Sequence, residues 1–344
     1  MSRKEAFKFF KTIDEKESTI SLIDCALNEF TSSVVLNVND SNVSSMDHFL
    51  KEKFPVQFNT TEEFFVLRGA LSDDAVKFLY FNALLSWPTE SCSRSHLSCI
   101  PENKIDWLDN FLAKSYSRQS ALEQLRWITL GYHYDWTNKT YPEECYSPFP
   151  EDASKLFQSI SSVIAAFLPS IQKGSPLTAA NRYSNFVPQA AIVNYYRKKT
   201  TMGFHVDAAE PNRLAPLISV SLGRPCIFLL EASENIPGPQ LPHEGAAGVL
   251  DESTGNTILP IILHHGDVLI SGGSSRLAYH AVPKLLCWDM KTQLPSDLLS
   301  DLSNNFIQAH PLGNALSKSE VQSSLEAYVH STRVNMNVRQ VTES

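Results

Sequence analysis

Two residues of the segment GFHVDAAEP, residues 203–211, could do chemistry together: His205 and Asp207, one residue apart. In a strand, positions i and i+2 share a face, so an imidazole and a carboxylate can point at one ion. An H-x-D pair alone is common and gains meaning only if a second histidine arrives from another strand. Two imidazoles and one carboxylate, with the remaining coordination positions open, are the arrangement of non-haem ferrous enzymes. The histidines available downstream are His243, His264, His265, His280, His310 and His330. His280 stands out because GDVLISGGSSRLAYHAVP reads as a buried strand, a glycine turn and a short segment returning towards the core. His264 and His265 precede the Gly266–Asp267 turn and are expected on the surface.

An iron oxygenase also needs a co-substrate that supplies electrons. If that is 2-oxoglutarate, its distal carboxylate calls for a planar, permanently charged arginine fork. The terminal run R-V-N-M-N-V-R places Arg333, Asn335, Asn337 and Arg339 on one face of one strand. Two arginines facing into a small barrel would need anionic partners, and a dicarboxylate would serve. On an edge strand they would instead be solvated. Asn194 and Tyr196 of AAIVNYYR also share a face and could donate to a carboxylate, although a tyrosine there could equally belong to the core.

These residues must be carried by strands, and the second half of the chain supplies them. AAIVNYY, LISVSLG, CIFLLEA, TILPIIL and DVLISGG are short apolar runs punctuated by Gly, Pro and Asp, the pattern of a compact β sandwich or barrel. Upstream, FFVLRGAL predicts a strand from Phe64, and SDDAVKFLYFNALLSW predicts a helix capped by Ser72. LEQLRWITLGYHYDW passes from helical to strand-like spacing, and DASKLFQSISSVIAAFLPSI predicts an amphipathic helix. The fold class expected is mainly β with flanking helices. Residues 1–60 are expected to be a weakly ordered or helical extension and 61–175 an N-terminal helical region. Residues 176–344 would form the core, with a polar helical insertion at about 290–330.

The chain has 344 residues, 43% of them hydrophobic, with a formal net charge of −8. That excludes a surface that grips a phosphate backbone everywhere, but a local basic channel stays open. Six scattered cysteines without a C-x-x-C suggest a reducing compartment and no disulfide framework. No run is long and apolar enough to cross a bilayer, so no membrane partner is expected. A monomer in the cytoplasm or nucleus is the expectation; the early basic residues keep a mitochondrial location open.

Taken in order, N-Y-Y-R at 194–197, H-V-D at 205–207, P-L-I-S-V-S-L-G at 216–223, G-D-V at 266–268, S-R-L-A-Y-H at 275–280 and R-V-N-M-N-V-R-Q-V at 333–341 resemble the AlkB family of Fe(II)/2-oxoglutarate dioxygenases. The segments LEQLRWITLGYHYDW and YVHSTRVNMNVRQV look most like its homologue 1 branch. The resemblance implies a double-stranded β-helix (jelly-roll) core that uses Fe(II), 2-oxoglutarate and O2. Iron would be bound by His205, Asp207 and His280. 2-Oxoglutarate would be held by Asn194, Tyr196, Arg333, Asn335 and Arg339, with Arg333 on the distal carboxylate. It also implies an N-terminal nucleotide-recognition lid, here carrying Trp127 and Tyr132, then Tyr134 and Trp136, whose aromatic faces would stack on an extruded base. Two departures are visible. The position two beyond the metal aspartate, acidic in AlkB itself, is Ala209 with Glu210 next, and Asn337 stands where the family has Thr.

The chemistry implied is decarboxylation of 2-oxoglutarate to succinate and CO2, coupled to hydroxylation of a nearby C–H. An N-methyl group would then leave as formaldehyde, and a C-methyl would become a hydroxymethyl or formyl base. The substrate expected is nucleic acid, tRNA or single-stranded DNA. Arg197, beside Lys198 and Lys199, and Arg276, near His280, are candidate phosphate contacts. Two other readings remain: a protein hydroxylase or demethylase with the same chemistry, and an iron-independent abasic-site lyase. For the lyase, Lys139 would supply the amine.

Overall fold

The computed structural model describes residues 2–38, 49–89, 93–96, 124–171, 177–232, 240–241, 245–246, 249–251, 255–287, 323 and 327–343. Nearly all of the expected insertion at about 290–330, together with His243 and His310, lies outside them.

The chain opens with helices α1 (Arg3–Thr12) and α2 (Glu17–Phe30), followed by strands β1 (Ser32–Asn37), β2 (Lys53–Asn59) and β3 (Phe64–Leu67). Before residue 60 the described residues thus comprise two helices and two strands of the main sheet. Helix α3 (Asp73–Phe81) starts where Ser72 accepts a hydrogen bond from the Ala75 amide at 3.1 Å. The predicted helix does not continue as α: residues Asn82–Ser86 form a π-helical turn, and Tyr195 Oη donates to the Ala83 carbonyl at 2.5 Å. Then come β4 (Ser93–Ser95), β5 (Trp127–Gly131), α4 (Glu151–Ile171), α5 (Leu177–Ser184), β6 (Ala190–Tyr196), β7 (Met202–His205), β8 (Leu217–Gly223) and β9 (Cys226–Ala232). The remaining strands are β10 (Gln240–Leu241), β11 (Gly245–Ala246), β12 (Val249–Asp251), β13 (Asn256–Leu263), β14 (Val268–Ser271), β15 (His280–Leu285) and β16 (Arg333–Arg339).

The strands form a nine-stranded sheet, β1-β2-β3-β14-β8-β16-β6-β5-β4, and a five-stranded sheet, β12-β13-β9-β15-β7, all paired antiparallel. The two sheets face each other as the expected jelly roll, with Phe64, Val66 and Leu269 of one meeting Leu230, Leu259 and Val282 of the other. The large sheet crosses the boundaries expected at residues 60 and 175, because β1, β2, β3 and β5 all belong to it.

Alternation along the strands sorts the side chains. Val334, Met336 and Val338 of β16, Ile218, Val220 and Leu222 of β8, and Val193 and Tyr195 of β6 face outward into an apolar cluster with α3, α4 and α5. Their neighbours, Arg333, Asn335, Asn337 and Arg339 with Asn194, Tyr196 and Ser219, face inward. The β8–β16 approach is tightest at Gly223. With φ +83°, a Cβ there would fall 2.4 Å from the Thr332 carbonyl oxygen, so only glycine fits beside Arg333.

Candidate metal and co-substrate site

His205 ends β7 and His280 begins β15, and the two are direct partners in the antiparallel ladder. Their rings lie 4.2 Å apart, centroid to centroid. His205 Nδ1 lies 2.9 Å from the Gly203 carbonyl and His280 Nδ1 3.1 Å from that of Ala278. A carbonyl only accepts, so each Nδ1 carries the proton and each Nε2 presents its lone pair. Phe228 stacks on the His280 ring at 5.5 Å. Burial pushes His280 down to about 4, against the opposing pull of Asp207, so its imidazole is neutral at physiological pH.

Asp207, two residues past β7, brings its Oδ2 to 3.7 Å from His280 Nε2. One donor atom from each of His205, Asp207 and His280 falls within 4.8 Å of the others, the one such grouping among the described residues. Burial would raise the Asp207 pKa, but the Arg339 guanidinium above all, then His280, His205 and Arg276, hold it well below the usual carboxylate range. Arg339 Nη2 lies 2.9 Å from Asp207 Oδ2 as a charge contact, yet that buried oxygen receives no well-directed hydrogen bond. Two lone pairs and an under-satisfied carboxylate oxygen converging on one point are what a divalent cation requires. The residues fit a ferrous ion.

Glu210 organises the arginines behind this point. It is 2% exposed, with Oε1 2.7 Å from Arg339 Nε and Oε2 2.9 Å from Arg276 Nη2. Arg276 also donates to the backbone carbonyls of Asp207 and Ala215. Arg276, expected as a phosphate contact, is thus 4% exposed and consumed in fixing the Asp207 segment. Glu210 was legible in the sequence only as a departure from a motif. The signal for its role was the need of two buried arginines for anions.

Arg333 is different. It is 1% exposed, yet its Nη2 donates only to Ser221 Oγ, at 2.8 Å, and its Nε and Nη1 are buried without a hydrogen-bond acceptor. No carboxylate contact with it is present among the described residues. A buried guanidinium with two idle donors fits the distal carboxylate of a diacid. The β16–β6 register sets Tyr196 opposite Arg333 and Asn194 opposite Asn335. Burial raises the Tyr196 hydroxyl to about 12, which keeps its proton available for donation. Asn335 Nδ2 is bonded to Ser219 Oγ at 2.8 Å and the Val220 carbonyl at 3.0 Å.

All of these groups border one cavity of about 460 Å³. Its walls include Phe228, Leu230, Val282 and the buried Tyr141, and the more exposed Tyr134, Trp136 and Lys139 border its mouth. Trp136, 46% exposed, sits on a turn in which Asp135 accepts from the amides of Thr137 and Asn138. Its ring lies 4.7 Å from Tyr134 and 5.0 Å from Trp127. Trp127 and Tyr132 do not line the cavity. Trp127 packs between His96 and Trp136, and Tyr132 packs on Tyr146 at 4.7 Å. Arg197 begins a turn closed by Thr200 and is not on the cavity wall. His265, expected on the surface, is half-buried, accepts from the Gly223 amide at 3.0 Å and stacks on Tyr80. His330 is exposed.

Beneath the aromatic mouth, His133 is 3% exposed between Thr129 Oγ1 at 2.8 Å and Ser147 Oγ at 2.9 Å. Burial, then Arg94, pushes it down to about 4 from its ordinary 6.5. A histidine whose folded pKa lies below its unfolded one stabilises fully above pH 6.5, and that stability is lost as pH falls towards 4. Melting temperatures measured across this window should fall less steeply for His133→Gln than for the natural chain.

The model of a family described as the 2OG-Fe(II) oxygenase superfamily matches residues 105–339. The mouse protein named nucleic acid dioxygenase ALKBH1 is 32% identical over 228 residues, covering 65% of this chain and 48% of the relative. The fission yeast (Schizosaccharomyces pombe) protein named tRNA demethylase abh1 is 31% identical, covering 64% and 54%. The Escherichia coli protein named alpha-ketoglutarate-dependent dioxygenase AlkB is 35% identical over 108 residues, covering 31% and 41%. The chain thus spans about half the length of the curated relatives it matches. No helix among the described residues is long and apolar enough to cross a membrane.

Proposed function

The chain belongs to the 2OG-Fe(II) oxygenase superfamily, and from that premise we propose that it hydroxylates methyl groups on nucleic-acid bases. Its relatives named as nucleic acid dioxygenase and tRNA demethylase support the substrate class. The observation that carries the reading is the buried, unmatched guanidinium of Arg333, in the same cavity as His205, Asp207 and His280.

When bound, ferrous iron with 2-oxoglutarate and O2 supplies the oxidising power to convert a substrate C–H into C–OH, yielding succinate and CO2. His205 and His280 would hold the ion through Nε2 and Asp207 through its carboxylate. Arg333 would fix the distal carboxylate, with Tyr196 and Asn194 donating alongside. Arg339, already engaged with Asp207 and Glu210, would act chiefly by orienting the metal carboxylate. Phe228, Leu230 and Val282 exclude water from the reacting volume. Tyr134 and Trp136 would stack on an extruded base at the mouth, and Lys139 would meet a flanking phosphate. An N-methyl group hydroxylated there leaves as formaldehyde. The chain would act as a monomer, in the cytoplasm or nucleus.

The test is succinate and formaldehyde release from N-methylated oligonucleotides, single-stranded DNA and tRNA in parallel, with Fe(II) and ascorbate. Trp136→Ala should raise the substrate KM roughly 5- to 100-fold, the worth of about 1–3 kcal/mol of stacking, with 2-oxoglutarate affinity unchanged. Succinate release that ignores every nucleic acid but responds to a methylated peptide would move the substrate to protein. Strand cleavage at abasic sites that survives chelation and is lost in Lys139→Ala would instead support the lyase.

A further inference from the structure

The family match begins at residue 105, yet the chain's first helix lies against the strands that carry the metal candidates. His205 and His280 face the cavity, so their neighbours Phe204 and Ala281 face the opposite side of the five-stranded sheet. There they join Ala6, Phe7, Phe10 and Ile13 in one apolar cluster. The start of α1 is fixed by a reciprocal capping box between Ser2 and Glu5.

Polar contacts pin β15 to this layer at both ends. At the far end Lys284 Nζ donates to the Ile13 carbonyl at 2.6 Å, and the Cys287 amide donates to Glu15 Oε2 at 2.6 Å. At the His280 end, the Arg3 guanidinium lies 3.6 Å over the Tyr279 ring. The same group donates to both oxygens of the buried Glu231, at 2.5 and 3.1 Å. The Glu231 amide in turn donates to the Tyr279 carbonyl at 2.8 Å. Tyr279 sits between His280 and Ala278, whose carbonyl orients the His280 ring. One planar cation thus stacks on one neighbour of His280 while gripping the adjacent strand, a combination that lysine cannot reproduce.

We infer that Arg3 is a positioning residue for the metal centre, acting through Tyr279 on His280, with α1 splinting β7 and β15 from behind. The inference rests on the reading of His205, Asp207 and His280 as metal ligands. It is tested in the full chain by titrating Mn(II) alone into the natural protein, Arg3→Ala and Arg3→Lys, alongside metal-free thermal melts and amide hydrogen exchange. Arg3→Ala should bind Mn(II) about tenfold more weakly, as when a group that orients a ligand is lost. Its metal-free melting temperature should fall, because Glu231 is buried and loses its guanidinium partner, so the affinities are compared well below the melting temperature of each protein. Amides at 279–282 should exchange faster even without metal. Arg3→Lys, which keeps the charge but loses the stacked fork, should recover only part of the affinity. Unchanged Mn(II) affinity in Arg3→Ala, whatever happens to its melting temperature, overturns the positioning role and leaves the metal site standing. A natural protein that binds no Mn(II) overturns the metal reading itself, and the inference with it.

Discussion

Asp207→Ala should abolish succinate release and weaken metal binding by more than about 100-fold, beyond the 10–100-fold loss seen when only an orienting neighbour is removed. Asp207 is the one anionic member of the proposed ligand set; the others are imidazoles, and His280 is neutral. The buried group around it balances two carboxylates, Asp207 and Glu210, against two guanidiniums, Arg276 and Arg339. Removing one carboxylate leaves a net positive charge beside the point where a cation must sit. The same change breaks a buried charge contact, at a cost of about 3–5 kcal/mol, so part of the loss could come from unfolding. Asp207→Asn separates the two effects. It keeps the shape and should lose turnover and metal affinity with less loss of stability. Mn(II) titration of both variants, with thermal melts, checks this.

Arg333→Leu should have effects of opposite sign on stability and on co-substrate binding. In the absence of a diacid the guanidinium is a buried cation whose Nε and Nη1 lack acceptors, so an apolar side chain of similar reach should raise the melting temperature. Binding of 2-oxoglutarate should weaken by roughly two to four decades, corresponding to about 3–5 kcal/mol for breaking a buried charge pair. The natural protein should melt higher with added 2-oxoglutarate, by mass action, and Arg333→Leu should lose that rise. If Arg333→Leu instead melts lower without the diacid and still responds to it, the co-substrate is held elsewhere.

Much of this was legible in the sequence because strand periodicity is simple. The even spacing of Arg333, Asn335, Asn337 and Arg339 fixed their common face without knowledge of the partners, and the ladder then set Tyr196 opposite Arg333. A β sandwich or barrel followed from short apolar runs broken by turn residues, and its jelly-roll form from the family resemblance. What was not legible depends on pairing across long separations. Both arginines of β16 read alike, but Arg339 meets Glu210 whereas Arg333 meets no carboxylate, a distinction that only the tertiary register makes. Arg276 looked like a basic group near the site; its burial against Glu210 shows that its charge is spent inside. Among the aromatics, Trp127 and Trp136 are equally suited to stacking by composition, and only the turn at Asp135 carries the second to the mouth. The polar look of residues 1–60 allowed helices but gave no sign that α1 covers the smaller sheet or that β1 and β2 join the larger one, because amphipathic helices that cover a sheet expose most of their residues.

The most direct test of the account is a crystal structure with Mn(II) and a non-decarboxylating analogue of 2-oxoglutarate. The account predicts an anomalous peak bonded to the Nε2 atoms of His205 and His280 and to the Asp207 carboxylate. It also predicts the distal carboxylate of the analogue paired with Arg333. A manganese peak elsewhere, or an analogue whose carboxylates leave Arg333 unpaired, would contradict it.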